Sequence, residues 1–200
     1  MAAPGSHYFD EDPTTESAPR DVSLLLPDMN LTLRTDRGVF GYNRIDAGSK
    51  LLLLKATAPS ATGDLLDLGC GAGAIALTMA RRAPGATVWA IDVNERAREL
   101  CRYNSELNGV TNVRVCSPDE VADDARFATI WSNPAIRIGK VALHEMLTRW
   151  FGRLTGEGEA VMVVHKHLGG DSLQAWLTAQ GYPTTRLASS SGYRILRSTR

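Results

Sequence analysis

The run Asp67-Leu68-Gly69-Cys70-Gly71-Ala72-Gly73 falls where an apolar strand stops and a helical segment starts. Glycines at alternate positions let the backbone turn sharply and let a ligand approach without meeting a Cβ. In an open α/β sheet, ligands bind in the crevice at the carboxyl ends of the strands. The next apolar strand ends at Asp92 in Trp89-Ala90-Ile91-Asp92-Val93-Asn94, nineteen residues after Gly73, and a carboxylate at such a place accepts both hydroxyl hydrogens of a ribose. The two features imply an adenosine-bearing cofactor. Gly69, Gly71 and Ala74 also satisfy the looser dinucleotide pattern G-x-G-x-x-G/A. A pyrophosphate would rest on the helix N-terminus, however, whereas an acidic Asp67 entering the loop suits a cationic amino group. Reading the glycines as a tight turn alone leaves Asp92 unexplained.

Positioning these residues takes alternating strands and helices. The apolar patterning predicts strands at 64–68 and 87–91 and helices at 72–82 and 94–108, the latter ended by Gly109. Further strands are predicted at 112–116, 127–131 and 160–165, with helices at 46–58, 140–154 and 171–180. Near-continuous apolar strands separated by helices indicate a parallel sheet covered on both faces. Segments 184–190 and 193–198 flank Ser191-Gly192 and predict a closing antiparallel pair. Leu31, Leu33, Val39 and Phe40 flank the polar run Thr35-Asp36-Arg37-Gly38, the pattern of a β-hairpin.

Composition bounds the rest. At 200 residues, 44% hydrophobic and 22% charged, the chain suits one globular domain. Residues 1–20 carry four acids and one Arg and are expected to be a flexible acidic tail, leaving 21–200 as a single domain. The 22 basic and 22 acidic residues cancel, so no bulk field recruits nucleic acid, although nine Lys or Arg against four acids from Arg137 onward make the last third a place for phosphate, or simply a solvated surface. Three cysteines without CxxC indicate neither disulfides nor a zinc knuckle and fit a reducing cytoplasm. No apolar run approaches the roughly 20 residues that span a bilayer, and residues 1–20 lack a signal-peptide core.

Asp67-x-Gly69-x-Gly71-x-Gly73 and Asp92 resemble the first two motifs of class I S-adenosylmethionine-dependent methyltransferases. Ser132-Asn133-Pro134-Ala135-Ile136-Arg137-Ile138-Gly139-Lys140 is similar to the Ser-Asn-Pro-Pro-Ile-Arg-x-Gly-Lys form of the amino-methylating motif in the small-domain, ribosomal RNA methyltransferase-like branch. Thr35-Asp36-x-Gly38-Val39-Phe40, Asp46-x-Gly48-Ser49-x-Leu51-Leu52, Asp92-Val93-Asn94-Glu95-Arg96-Ala97 and Gly192-Tyr193-Arg194-Ile195 match further segments of that branch, so the resemblance covers about residues 25–197. It implies a Rossmann-like methyltransferase fold: a mainly parallel seven-stranded sheet with helices on both faces, an antiparallel last strand pair and an N-terminal hairpin. The same branch includes enzymes that methylate the exocyclic N2 of guanine in small-subunit ribosomal RNA.

By that resemblance, Asp67, Gly69, Cys70, Gly71 and Gly73 hold the methionine part of S-adenosylmethionine, Asp92 and Val93 the ribose side, and Asp119 lies near the adenine. Asp119 also suits a cap for residues 120–125. Asn133 and Pro134 become the catalytic pair, Asn133 also bordering the cofactor. Phe40, Ala135, Ile136, Arg137 and Lys140 fall on the substrate side. An exocyclic amine is a poor nucleophile because its lone pair is delocalised; the Asn133 side-chain oxygen and the Pro134 carbonyl accept its hydrogens and hold the nitrogen in line with the methyl carbon. A base within a duplex must leave its stack to reach such a pocket. The chain departs from the branch at Ala135, where the second proline is missing, and Ile136 offers no ring for stacking.

His165-Lys166-His167 reads as a polar rim and no metal is assigned. Cys70, Cys101 and Trp131 read as packing residues, and Asn104 as a hydrogen-bonding partner of a neighbouring loop. The expected activity is N-methylation of a guanine in small-subunit ribosomal RNA by a cytoplasmic monomer or weak homodimer acting on ribosomal RNA or the assembling subunit. N-methylation of a protein glutamine or a small metabolite, and a non-catalytic cofactor-binding RNA or partner module, are the other readings. With no bulk positive charge, a structured ribonucleoprotein or a helper protein is the expected partner rather than naked RNA.

Overall fold

The polar run Thr35-Asp36-Arg37-Gly38 does not turn a hairpin. In a computed structural model, which describes residues 15–135 and 138–200, the reversal comes earlier: β1 (Arg20–Leu25) pairs antiparallel with β2 (Asn30–Thr35), Leu24 opposite Leu31. Val22 and Leu24 supply the alternation that a partner for Leu31 and Leu33 requires. The Asp36 carboxylate is engaged elsewhere, accepting from Ser17 Oγ and the N–H groups of Ala18 and Arg37 at 2.6–2.7 Å. Residues 15–20, placed with the tail by composition, are thus tied to the body; residues 1–14 lie outside the described residues.

After the loop 36–46, α1 (Ala47–Lys55) is capped by Asp46, which accepts from the Ser49 N–H at 2.9 Å. Then β3 (Thr62–Leu68), α2 (Ala74–Arg82), β4 (Gly85–Ile91), α3 (Glu95–Leu107) and β5 (Val113–Cys116) form the expected alternation. β6 (Phe127–Ser132), α4 (Lys140–Phe151), β7 (Leu154–His165), α5 (Gly170–Ala179), β8 (Thr184–Ser190) and β9 (Tyr193–Thr199) complete the chain. No helix follows Asp119; residues 120–125 are turns and bends.

The large sheet has the order β5-β4-β3-β6-β7-β9-β8, parallel from β5 to β7, with β9 running antiparallel between β7 and β8. Successive strand residues face opposite sides. Leu65, Trp131, Val161, Val163 and Ile195 bury against α1, α2 and the hairpin, while Leu66, Ile130, Met162, Val164 and Leu196 bury against α4 and α5 through Leu147, Trp150, Phe151 and Leu177. Each face is a continuous apolar core, and a large-to-small change at a fully buried site such as Leu65 costs about 2–5 kcal/mol. Among the described residues no helix is long and apolar enough to cross a membrane.

Register sets the height of everything that follows. Leu68 pairs with Ile91 on one side and Ser132 on the other, so Gly69, Asp92 and Asn133, each the next residue, leave their strands at one level. Ser132 Oγ donates to the Leu68 carbonyl at 2.7 Å and ties the two strand ends together.

Candidate active site

At that level a cavity of about 1080 Å³ opens over the strand ends. Its wall includes Gly69, Gly71, Asp92 and Val93 on one side and Asn133, Pro134 and Ala135 on the other, with Phe40 of the loop before α1 between them. The strand order steps one way from β3 to β4 and the other way to β6, which is the topological condition for a crevice here.

The glycine loop is held from below, where the N–H groups of Gly69 and Cys70 both donate to the Ile91 carbonyl at 3.0 and 2.9 Å. Gly69 has φ +84° and nothing within 4 Å where a Cβ would project, an open cradle on the cavity wall. Gly73 is needed for packing: at φ +91°, an added Cβ would meet Cys101 Sγ at 2.8 Å and Leu77 Cδ1 at 2.9 Å. Cys70 is buried, and the neighbouring Cys101 together with burial push its thiol well up, which suits a packing residue and not a nucleophile.

Asp92 accepts from the Gly71 N–H at 2.9 Å and the Asn94 N–H at 3.0 Å. Burial raises its carboxyl above the ordinary range, against the pull of those donors. Asp67 does not reach the cavity wall. It lies on the α2 side of β3, one residue out of phase with Leu68, where Oδ2 accepts from the Ala76 N–H at 2.8 Å and Oδ1 has no partner. Burial drives its pKa up to about 8. Asp67 therefore braces the loop from behind.

Asn133 is fixed from the opposite side. Its Nδ2 donates to Asp46 Oδ2 and to Ser49 Oγ, both at 2.9 Å. Pro134 is buried in the wall beside it. Gly48 makes this corner possible, since a Cβ there would strike the Tyr193 ring at 2.8 Å and Asp46 Oδ2 at 2.9 Å. Tyr193 in turn stands edge-on to His165, ring centroids 5.0 Å apart, and both line the cavity. Burial and the nearby Asp46 carboxylate hold the Tyr193 phenol above its usual range.

Several expected residues sit differently. Val93 and Phe40 border the cavity and remain 47% and 41% exposed. Asp119 turns outward, 90% exposed, to pair with Arg149 at 3.4 Å, while its neighbour Pro118 supplies the wall. Lys140 is exposed at the start of α4 and is not part of the lining. Ile136 and Arg137 lie outside the described residues. Reasoning from sequence missed Asp46, Ser49 and Tyr193 as parts of the site, although Asp46 three residues before Ser49 is a readable helix start. It also set His165 aside as a rim residue. Among the described residues no His, Cys, Asp or Glu cluster could hold a metal ion.

Residues 30–197 match the family model for the methyltransferase small domain. The uncharacterized protein YbxB of Bacillus subtilis (strain 168) is 35% identical over 194 residues, covering 96% of each chain. The ribosomal RNA small subunit methyltransferase C of Aeromonas hydrophila is 34% identical over 146 residues, covering 70% of this chain and 42% of its own, so the chain spans less than half of that relative. In three dimensions the chain is similar to the T. thermophilus 16S rRNA N2 methyltransferase RsmC, solved in complex with AdoMet and guanosine, with a TM-score of 0.79 and 23% identity over 94% of this chain and 52% of that one. A likeness at that level of identity speaks for the fold.

Proposed function

Because the chain belongs to the methyltransferase small-domain family and is an S-adenosylmethionine-dependent methyltransferase, we propose that it methylates an exocyclic amine of a nucleobase, N2 of a guanine in cytoplasmic small-subunit ribosomal RNA. The donor fits the residues present: the open space beside Gly69 leaves room for backbone approach, and Asp92 offers its carboxylate at the cavity wall. When bound, S-adenosylmethionine would supply an electrophilic methyl group on a sulfonium.

The chain's own part is placement. Asp92, steadied by the Gly71 N–H, anchors the ribose side. Asn133, with both Nδ2 hydrogens engaged, leaves its Oδ1 to accept from the amine, and the Pro134 carbonyl takes the second hydrogen. Held this way, the nitrogen is turned toward the donor without a strong base. Phe40 and Tyr193 offer the rings that Ile136 does not, against which an unstacked base can rest. The orientation of the Asn133 amide is the observation that carries this reading, because a free oxygen in the crevice recognises a hydrogen-bond donor.

Zero formal net charge gives weak attraction for naked RNA, which supports a partly assembled small subunit as the substrate. Purified protein is incubated with labelled S-adenosylmethionine and, separately, small subunits from cells lacking the modification, bare 16S RNA, and protein and metabolite fractions. Label in N2-methylguanosine, strongest on subunits, is the expected result. Label only in protein or metabolites, or binding without transfer, overturns it.

A further inference from the structure

We infer that Asp46 and Ser49 are positioning residues that set the polarity of the Asn133 amide, so that the crevice admits an amine and repels a carbonyl. This rests on the reading of the cavity as an amine-methylating site.

An asparagine amide carries two donors on nitrogen and two acceptor lone pairs on oxygen, and the two ends are nearly the same size. Packing alone does not choose which end faces a substrate. Here both nitrogen-bound hydrogens are taken, one by Asp46 Oδ2 and one by Ser49 Oγ, each at 2.9 Å. Among the described residues no donor reaches Oδ1. The two acceptors are unequal. A serine hydroxyl both donates and accepts, and so tolerates either end of the amide. The Asp46 carboxylate only accepts, and turning the amide over would set Oδ1 against a negatively charged oxygen.

Asp46 is itself held in place. The same Oδ2 caps α1 by accepting from the Ser49 N–H at 2.9 Å, and the absence of a side chain at Gly48 lets Asp46 Oδ2 and the Tyr193 ring share that corner. The lock therefore comes from α1 and not from the strand ends that carry Gly69 and Asp92, although Asp46, Ser49 and Asn133 share a small cavity with Gly69, Cys70 and Gly71.

Selective ¹⁵N labelling of asparagine, with the Asn133 side-chain signal assigned by its disappearance in Asn133→Asp, reads the lock without turnover. In the parent, both Nδ2 protons should be well separated and slow to exchange with water. Asp46→Ser keeps a helix cap but withdraws the reach; Ser49→Ala removes the second acceptor and leaves the backbone N–H capped. Each should merge or broaden the two signals and speed their exchange. Each should also lower kcat roughly 10- to 100-fold, more than it weakens S-adenosylmethionine affinity in calorimetry. Asp46→Asn, whose oxygen can serve both N–H donors, should recover most of the lost kcat. Unchanged Asn133 signals, or unchanged kcat, in both Asp46→Ser and Ser49→Ala overturn the inference; Ser49→Ala decides the matter if Asp46→Ser does not fold. If the signals respond but the parent methylates no nucleobase amine, the polarity lock stands and the proposed function falls.

Discussion

Asn104 in α3 and Arg34 in β2 exchange a pair of hydrogen bonds, the side-chain Oδ1 accepting from the Arg34 N–H at 2.7 Å and Nδ2 donating to the Arg34 carbonyl at 2.8 Å. Nδ2 also donates to the Ala72 carbonyl at 2.8 Å. One buried side chain thus treats the hairpin as though α3 were its next strand and fastens it to the glycine loop. Asn104→Leu should destabilise the protein by roughly 2–4 kcal/mol in denaturant titrations, because three backbone groups lose their partner. Hydrogen exchange should rise first in β2. A variant with unchanged β2 protection would show that the hairpin is held by its apolar face alone.

Asp92 meets the cavity with a carboxylate already held by two backbone donors. Asp92→Ala should weaken S-adenosylmethionine binding roughly 10- to 100-fold in calorimetry. A melting curve on the same variant separates lost affinity from lost fold.

Asn133→Ala removes the acceptor oxygen and strands Asp46 and Ser49. Single-turnover rates should fall about 10²- to 10³-fold, with donor affinity changed no more than severalfold. Equal losses in both would place Asn133 with the donor instead of the acceptor.

Asp67 gives a pH dependence whose sign is fixed. Its carboxyl titrates near 3.8 in an unfolded chain and is raised by burial to about 8 in the fold. Between those values the folded state keeps a proton that the unfolded state has lost, so this group's contribution is full below about 4 and declines as pH rises to about 8. The slope is at most about 1.4 kcal/mol per pH unit. The stability difference between the parent and Asp67→Asn, followed from pH 4 to 8, should therefore run against the parent. A flat difference would mean that Asp67 is ionised in the fold.

The site was legible where a single strand end announces it. Gly69 and Asp92 each follow an apolar run at a telling spacing, Asn133 stood out through the resemblance of its motif to the family, and parallel register brings these strand ends to one height. What escaped depends on side-chain direction and on distant pairing. Asp67 is one position out of phase with the cavity, a matter of strand parity that the loop motif does not display. Asp46 and Asn133 are 87 residues apart, and Tyr193 reaches them only because β9 inserts between β7 and β8. The hairpin was displaced by one strand because Val22 and Leu24 sit beside an acidic segment that composition alone assigns to solvent. Helix boundaries were closer, since Asn94 caps α3 through its side chain and Gly109 follows its end, while α2 and α5 start after glycines with left-handed backbone.

The change of direction at β3 divides labour along the chain as well as in space. Gly69, Gly71, Asp92 and Val93 precede the crossing at residues 117–126, as do Phe40 and Asp46, Pro118 lies within it, and Asn133, Pro134, Ala135, Val163, His165 and Tyr193 follow it. A splice made inside that crossing would exchange most of the recipient wall while inheriting the methyl source together with Phe40, Asp46 and Ser49, so a chimaera of new specificity built at this seam must still suit those three.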